Sequence, residues 1–405
     1  MAKLDVQLSL IAPPAFTPIP SGSLHYVPAL LDWKGERDAL RMASEATWQG
    51  MTPLVQVAPT GDPAKEISIA AIGNRLREVA SAVRSHPIYL DTLGVSATKP
   101  TLPRGHATVL QHVHEAARRQ GISSVPVYSM GDEAHADVVA AAAAQDGRGV
   151  AIRYRVGDTH YVGGGTLADR LVSALDHLGV DAGDADVILD FGWLRPEDEI
   201  GLEEVSLLVD RIYTAGKWRN LIVLATSIPS SFERIREGTI GSIPRREWIL
   251  WNSLREFGSA RTVFGDYGVQ HPRAPQNRRG GQMRANIRYT TREGTLVARG
   301  EGAIMRLDPS ERAQQYRKLC YDLVTNNLFV GRGCCTGDDT IQDCADGLLV
   351  AEAQPMWRGV GTAHSLKEVT SSLAALRTAR IKPGSLTPAA RARRGAVPVA
   401  PPARR

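Results

Sequence analysis

Between His25 and Phe264 the chain alternates, eight times over, a short apolar run with a longer helix-forming one, and few architectures accept that rhythm. The short runs read as strands at His25–Leu31, Thr52–Val57, Pro87–Asp91, Ser124–Tyr128, Gly149–Arg155, Asp186–Asp190, Leu221–Ala225 and Thr262–Phe264. The helices expected between them are Arg37–Gln49, Ile67–Arg84, Thr108–Gln120, Glu133–Ala144, Leu167–Leu178, Leu202–Ala215 and Arg245–Phe257. Strands joined by helical crossovers are parallel, because only a long connection returns the chain to the same end of the sheet. Eight such units match a closed (β/α)8 barrel of the TIM type, whereas an open doubly wound sheet needs about six. No GxGxxG follows the first strand, which removes the main argument for a dinucleotide-binding sheet.

The expected organisation is a leader over 1–22, the barrel over 23–284, an extension over 285–379 and a disordered tail over 380–405. Within the extension, Ala285–Arg299 alternates around Glu293-Gly294 as a hairpin does. A helix is expected at Ser310–Leu323 with Ser310 as its N-cap, then a polar, glycine-rich loop over Gly331–Gly347, then a last helix at Leu366–Leu376. From Lys382 onward the chain carries Lys382, Arg391, Arg393, Arg394, Arg404 and Arg405 with no acid, which accounts for the whole net charge of +5. The basicity belongs to the tail, so the body has no global nucleic-acid footprint.

No apolar run reaches the roughly 20 residues that span a bilayer, so no membrane partner is expected. The cysteines Cys320, Cys334, Cys335 and Cys344 lack paired CxxC spacing, so they give a zinc site only weak support, no metal is assigned from them, and reduced thiols in a cytoplasmic chain are expected.

The order of the residues resembles the phage-type beta-protein family. The likeness rests on Tyr26-Val27-Pro28-Ala29-Leu30 with Lys34-Gly35-Glu36, on Pro53-Leu54-Val55, on Asp190, and on Ser227-Ile228-Pro229. It continues through Arg246-Glu247-Trp248 with Trp251, Phe264-Gly265-Asp266-Tyr267-Gly268 with His271-Pro272, Ile287-Arg288-Tyr289-Thr290, and Trp357-Arg358 with Gly361 and His364. The resemblance implies the fold and no settled activity. The family usually shows an acid where Gln56 stands and a His-His pair where this chain has His364-Ser365.

A barrel's site forms at the C-terminal ends of its strands. Position therefore selects Lys34, Asp190, Asp266 and His271 as candidate catalytic groups, and Arg153, Arg155, Tyr267, Arg288, Trp357, Arg358 and His364 as candidate substrate contacts. Carboxylates crowded at one mouth push one pKa upward or hold a cation; separately, an aspartate at a strand end can simply cap the next turn. Arg153 and Arg155, two apart on one strand, share a face and offer either a fork for phosphate or an internal ion-pair network. Lys34 occupies the place of a Schiff-base lysine in some barrel enzymes, pyridoxal-phosphate racemases among them, but Lys34-Gly35-Glu36 fits an exposed turn equally well. No cofactor follows from these residues.

The expected function is a hydrolase- or lyase-type barrel enzyme using acid/base or metal-assisted chemistry on a phosphate-bearing small molecule or nucleic-acid end. The alternative is a non-catalytic, phage- or defence-associated interaction protein that touches nucleic acid weakly through its tail. On the first reading, Arg153→Ala and Asp266→Asn remove binding or turnover and leave stability nearly unchanged.

Overall fold

The computed structural model describes residues 19, 24–57, 69–92, 108–131, 133–157, 165–256, 261–272, 283–350 and 353–381. The tail from Lys382 and most of the leader lie outside these residues. Seven strands follow one another in chain order: β1 (Tyr26–Leu31), β2 (Leu54–Gln56), β3 (Ile88–Asp91), β4 (Ser124–Ser129), β5 (Val150–Arg155), β6 (Ala185–Trp193) and β7 (Asn220–Thr226). The next, β8 (Thr239–Pro244), stands outside the ring, and β9 (Thr262–Asp266) closes it by pairing with both β7 and β1. Every neighbouring pair in the ring is parallel. The helices α1 (Lys34–Met42), α2 (Glu45–Gln49), α3 (Ile69–Val83), α4 (Val109–Arg119), α5 (Glu133–Asp146), α6 (Leu167–Leu178), α7 (Leu202–Ala215) and α8 (Arg246–Glu256) supply the connections.

The strands are apolar on both faces because each is covered twice. Val27, Leu54, Tyr89, Ala151, Ile222 and Val263 fill the barrel interior together with Ile19 of the leader. Tyr26, Leu30, Val55, Leu90, Val223 and Phe264 face the helices. Alternation with period two thus decides which side chains can meet inside. The lower end of the interior is closed by Asp186, whose carboxylate accepts from Tyr89 (2.8 Å), Asn220 (2.9 Å) and two nitrogens of Arg219 (3.0 and 2.6 Å).

The extension builds a second core. β10 (Asn286–Thr290) and β11 (Gly294–Arg299) form the expected hairpin, and β11 also pairs antiparallel with β8, giving a three-stranded sheet. Tyr289, Tyr316, Leu319 and Trp357 pack together beneath it with α9 (Pro309–Val324), α10 (Thr336–Ala345) and α11 (Gln354–Ile381).

Four local expectations change. The single helix expected at Arg37–Gln49 divides, because the Ser44 side chain accepts from Thr47 N and starts α2 afresh. Asp308, not Ser310, caps α9: its carboxylate accepts from Glu311 N at 2.8 Å, Glu311 returns the bond, and Pro309 takes the first turn where no N–H is needed. The Gly331–Gly347 segment contains α10 instead of a continuous loop. The last helix begins at Gln354, not Leu366, since Gly359 is a contact point and not a breaker: a Cβ there would stand 2.8 Å from the Gly35 carbonyl oxygen, and one at Gly35 would stand 2.7 Å from that of Pro355. Two bare backbones let α11 lie directly on α1.

Candidate functional site at the barrel mouth

Inside the C-terminal end of the barrel, Arg153 is buried and bridges two carboxylates. Its Nε and Nη2 donate to Asp190 Oδ2 at 3.1 and 2.7 Å, its Nη1 donates to Asp91 Oδ2, and Nη2 also donates to the Tyr267 hydroxyl oxygen at 2.7 Å. Tyr267 donates in turn to Asp190 Oδ1 (2.7 Å). A bulge in β6 turns the Asp190 carboxylate into this network: the register slips between Asp190 and Gly192, Gly192 takes a φ of 61°, and its N–H donates to Asp190 Oδ1 at 2.9 Å. Burial, with Asp190 and Asp91 less than the length of a side chain away, raises the stakes on every partner: burial disfavours the Arg153 charge, while Tyr267, Asp190 and Asp91 more than restore it and hold its pKa above the ordinary value. Burial likewise pushes the Tyr267 hydroxyl up, so it remains a donor.

Gln56 donates its amide to Asp91 Oδ2 at 3.2 Å. An acid there would face a carboxylate already sharing one guanidinium with another. The glutamine therefore balances the charge of this network. Arg155, two residues beyond Arg153, ion-pairs with Asp190 at 3.6 Å and is 43% exposed at the rim. His271 packs edge-on against Trp193, with ring centroids 5.4 Å apart.

A second group gathers around the start of α1. Glu36 is fully buried, and its carboxylate has no side-chain hydrogen-bond partner among the described residues. Burial raises its pKa; the Arg358 charge, the Glu36 backbone N–H and the Arg288 charge oppose that, and Asp32 adds to it, yet among the described residues neither arginine forms an ion pair with it. Arg288, on β10, donates to the Val269 carbonyl and to Gln270 Oε1 (2.8 Å), and lies over the Phe232 ring at 4.8 Å. Burial and the neighbouring Arg358 both work against its charge, and Glu36 works for it. Arg358 lies over the Trp33 ring at 4.8 Å, and among the described residues its Nε, Gln270 Nε2 and Thr362 Oγ1 have no hydrogen-bond partner. The turn Tyr267–Gln270 joins the two groups: Tyr267 points into the barrel, and three residues later Gln270 holds Arg288.

Of the residues selected from sequence, Asp190, Arg153, Arg155, Tyr267 and His271 stand at this end of the barrel, and Arg288 and Arg358 reach it from the extension. Four stand elsewhere. Lys34 is an exposed residue on α1 paired with Asp38 at 2.6 Å. Asp266 faces the helix layer, where its Oδ1 accepts from Tyr26 and from Gly268 N (2.7 Å) and its Oδ2 lies 3.7 Å from Arg245. Burial raises the Asp266 pKa to about 6, with Arg245 opposing and Glu247 reinforcing. Trp357 is buried in the core of the extension, stacked on Tyr316 at 5.4 Å. His364 lies under β10, against Tyr289 and Asp338.

Sequence reasoning missed Glu36, Gln270 and Thr362. Glu36 was visible as part of the Lys34-Gly35-Glu36 string, but the string looks like a turn until α11 is laid against it.

A ring of eight parallel strands with charged groups collected at its carboxyl end, and a sheet and helix folded against that end, defines a TIM-type (β/α)8 barrel protein with a C-terminal addition at its mouth. The chain belongs to the Beta protein family, whose model matches residues 26–371. No curated protein matches it. Among solved structures, two variants of the tryptophan synthase alpha-subunit from the hyperthermophile Pyrococcus furiosus are 16% identical at a TM-score of 0.37, covering 61% of this chain and 88% of theirs. A GH18 chitinase from Pseudoalteromonas aurantia is 8% identical at a TM-score of 0.31, covering 44% of this chain and 72% of that one. The fold class rests on the closed ring itself and not on these distant likenesses. Among the described residues no helix is long and apolar enough to cross a membrane.

Proposed function

We propose that the protein is an enzyme of the hydrolase or lyase type, acting by acid/base chemistry at the barrel mouth on an anionic, phosphate-bearing small molecule. The observation that carries this reading is Glu36: a buried carboxylate with no side-chain partner among the described residues, within the field of two guanidiniums that form no ion pair with it. An unpaired buried charge is costly, and a fold retains one where it is used. Glu36, Arg288 and Arg358 together carry one net positive charge, which an anion would neutralise. Guanidinium groups match phosphate oxygens with paired donors, so Arg288 and Arg358 are assigned to bind the anion, whose charge would offset the burial that works against Arg288.

Binding would also set the proton state of Glu36. An anion between the arginines screens the charges that hold the Glu36 pKa down, so the carboxyl is driven toward its protonated form and becomes a general acid beside the bound substrate. The Asp91–Arg153–Asp190–Tyr267 network is the rigid floor, with Arg155 and His271 at the rim for the rest of the molecule. In this reading Asp190 and Arg153 are positioning residues, and Lys34 and Asp266 take no part in the chemistry.

The test combines crystal soaks of phosphate and phosphate monoesters with a turnover screen of the same compounds. Phosphate bound by Arg288 and Arg358, and turnover lost in Glu36→Gln with binding retained, are expected. Phosphate bound away from both arginines, or full turnover in Glu36→Gln, overturns the proposal.

A further inference from the structure

We infer that Cys334, Asp338 and His364 form a binding site for a thiolate-accepting divalent cation of the zinc class, separate from the mouth and independent of the function proposed for it. The three residues come from different places in the extension: the loop before α10, the first turn of α10, and the middle of α11. One potential ligand atom from each lies within 4.8 Å of the others. Thiolate, imidazole and carboxylate together suit zinc, and suit magnesium or calcium poorly.

The hydrogen-bond geometry around these residues is that of a prepared site. His364 Nε2 lies 2.7 Å from the Thr290 carbonyl oxygen, which can only accept, so Nε2 carries the hydrogen. In a neutral ring Nδ1 is then a bare lone pair, and it faces Asp338 Oδ2 at 3.0 Å, another lone pair. Two acceptors held at that distance require something positive between or beside them, either a proton shared by the ring and the carboxyl or a cation. The Cys335 thiol donates to Asp338 Oδ2 (3.0 Å), and the Cys334 sulfur lies within 4.8 Å of the same carboxylate. One carboxylate thus faces two thiols and an imidazole nitrogen.

Both ordering partners of a metal site are also in place. A backbone carbonyl fixes the tautomer of His364, and the Tyr289 hydroxyl donates to Asp338 Oδ1 (2.8 Å) and so holds Oδ2 toward His364 and the thiols, where an ion would displace the Cys335 S–H from it. Tyr289 further stacks on the His364 ring at a centroid distance of 3.8 Å. His364 and Asp338 are fully buried, whereas Cys334 is part-exposed and gives the ion a way in. On binding, the Cys334 sulfur exchanges its proton, released to solvent, for a bond to the metal. The spacing of the cysteines alone did not reveal this, because the other ligands stand on two different helices.

The full-length protein, stripped with chelator and titrated with Co2+, is expected to bind one equivalent with a sulfur-to-cobalt charge-transfer band, which Zn2+ then removes. Cys334→Ser, at a part-exposed position where the smaller polar group fits, should keep its circular dichroism and its metal-free Tm while losing the band. Tyr289→Phe should weaken Zn2+ binding by about 10–100-fold, the usual effect of removing an ordering partner. Absence of the band in the wild-type protein, or a band of full intensity in Cys334→Ser, overturns the inference and leaves His364 and Asp338 as a buried ion pair.

Discussion

Asp266 and Tyr267 are neighbours in the chain and stand on opposite sides of the barrel wall. The Tyr267 hydroxyl meets Asp190 and Arg153 inside the ring, while the Asp266 carboxylate meets Tyr26 and Arg245 among the helices. The Asp266 cluster continues through Arg245 to Glu247, which accepts from the Ser227 hydroxyl at 2.6 Å, and so ties β7, α8 and β9 together outside the barrel.

This placement makes Asp266 a determinant of pH-dependent stability. Its pKa rises from the ordinary 3.8 to about 6 on folding, so between those values the folded protein holds a proton that the unfolded chain has released. The stability it contributes is complete below about pH 4 and is lost as the pH rises through 6, by about 2–3 kcal/mol. Denaturant unfolding from pH 4 to 7 should show that decline in the wild-type protein and a flatter curve in Asp266→Asn, whose amide oxygen can still accept from Tyr26 and Gly268.

Arg153→Ala leaves Asp91 and Asp190 buried with their shared cation gone. A broken buried pair costs about 3–5 kcal/mol, contrary to the sequence-based expectation of unchanged stability. Urea unfolding of the variant should show a loss of that size, and a loss below 1 kcal/mol would mean that water or relaxation solvates both carboxylates.

Glu36→Gln should behave in the opposite way. Replacing an unpaired buried carboxylate by an amide removes a desolvated charge, so stability should hold or rise by about 1–2 kcal/mol while turnover is lost. A marked fall in Tm would show that the charge is needed to hold α11 on α1.

If an anion drives Glu36 to its protonated form, binding of sulfate, a phosphate analogue that keeps its own charge near neutral pH, takes a proton from solution. Calorimetric enthalpies measured in buffers of different ionisation enthalpy should differ accordingly, and Glu36→Gln should abolish the difference. Equal enthalpies for the wild-type protein in all buffers would place the anion out of reach of this carboxyl.

Gly35→Ala and Gly359→Ala probe the contact that delivers Arg358 to the mouth. Each adds a methyl where a backbone oxygen stands under 3 Å away, so each should cost about 1–3 kcal/mol by prising α11 from α1. Because they share one contact, the double variant should lose less than the sum.

The ring was legible because its signal is repeated: eight apolar segments with helical connections admit few closures, and Leu167–Leu178 and Leu202–Ala215 are helices to the residue. β8 was not legible, since Thr-Ile-Gly-Ser-Ile-Pro has a strand's alternation only weakly and owes its state to pairing with β11 some 50 residues on in sequence, a tertiary override of weak local propensity. The side taken by Asp266 was hidden for a different reason. Strands of a covered parallel barrel are apolar on both faces, so their sequence does not say which alternate set points inward, and a shift of one residue exchanges the two.

By itself the sequence determined the number of strands in the ring, their parallel sense and the positions of charged groups at their ends, because these follow from local periodicity and connection length. Only the tertiary structure decided which of those groups meet. It set Arg153 between Asp91 and Asp190, sent Asp266 outward, and brought Arg288 and Arg358 to Glu36 from far along the chain. Contacts of that kind depend on how the ring closes and on how nearly α11 can approach α1, and neither is written in any local stretch of residues.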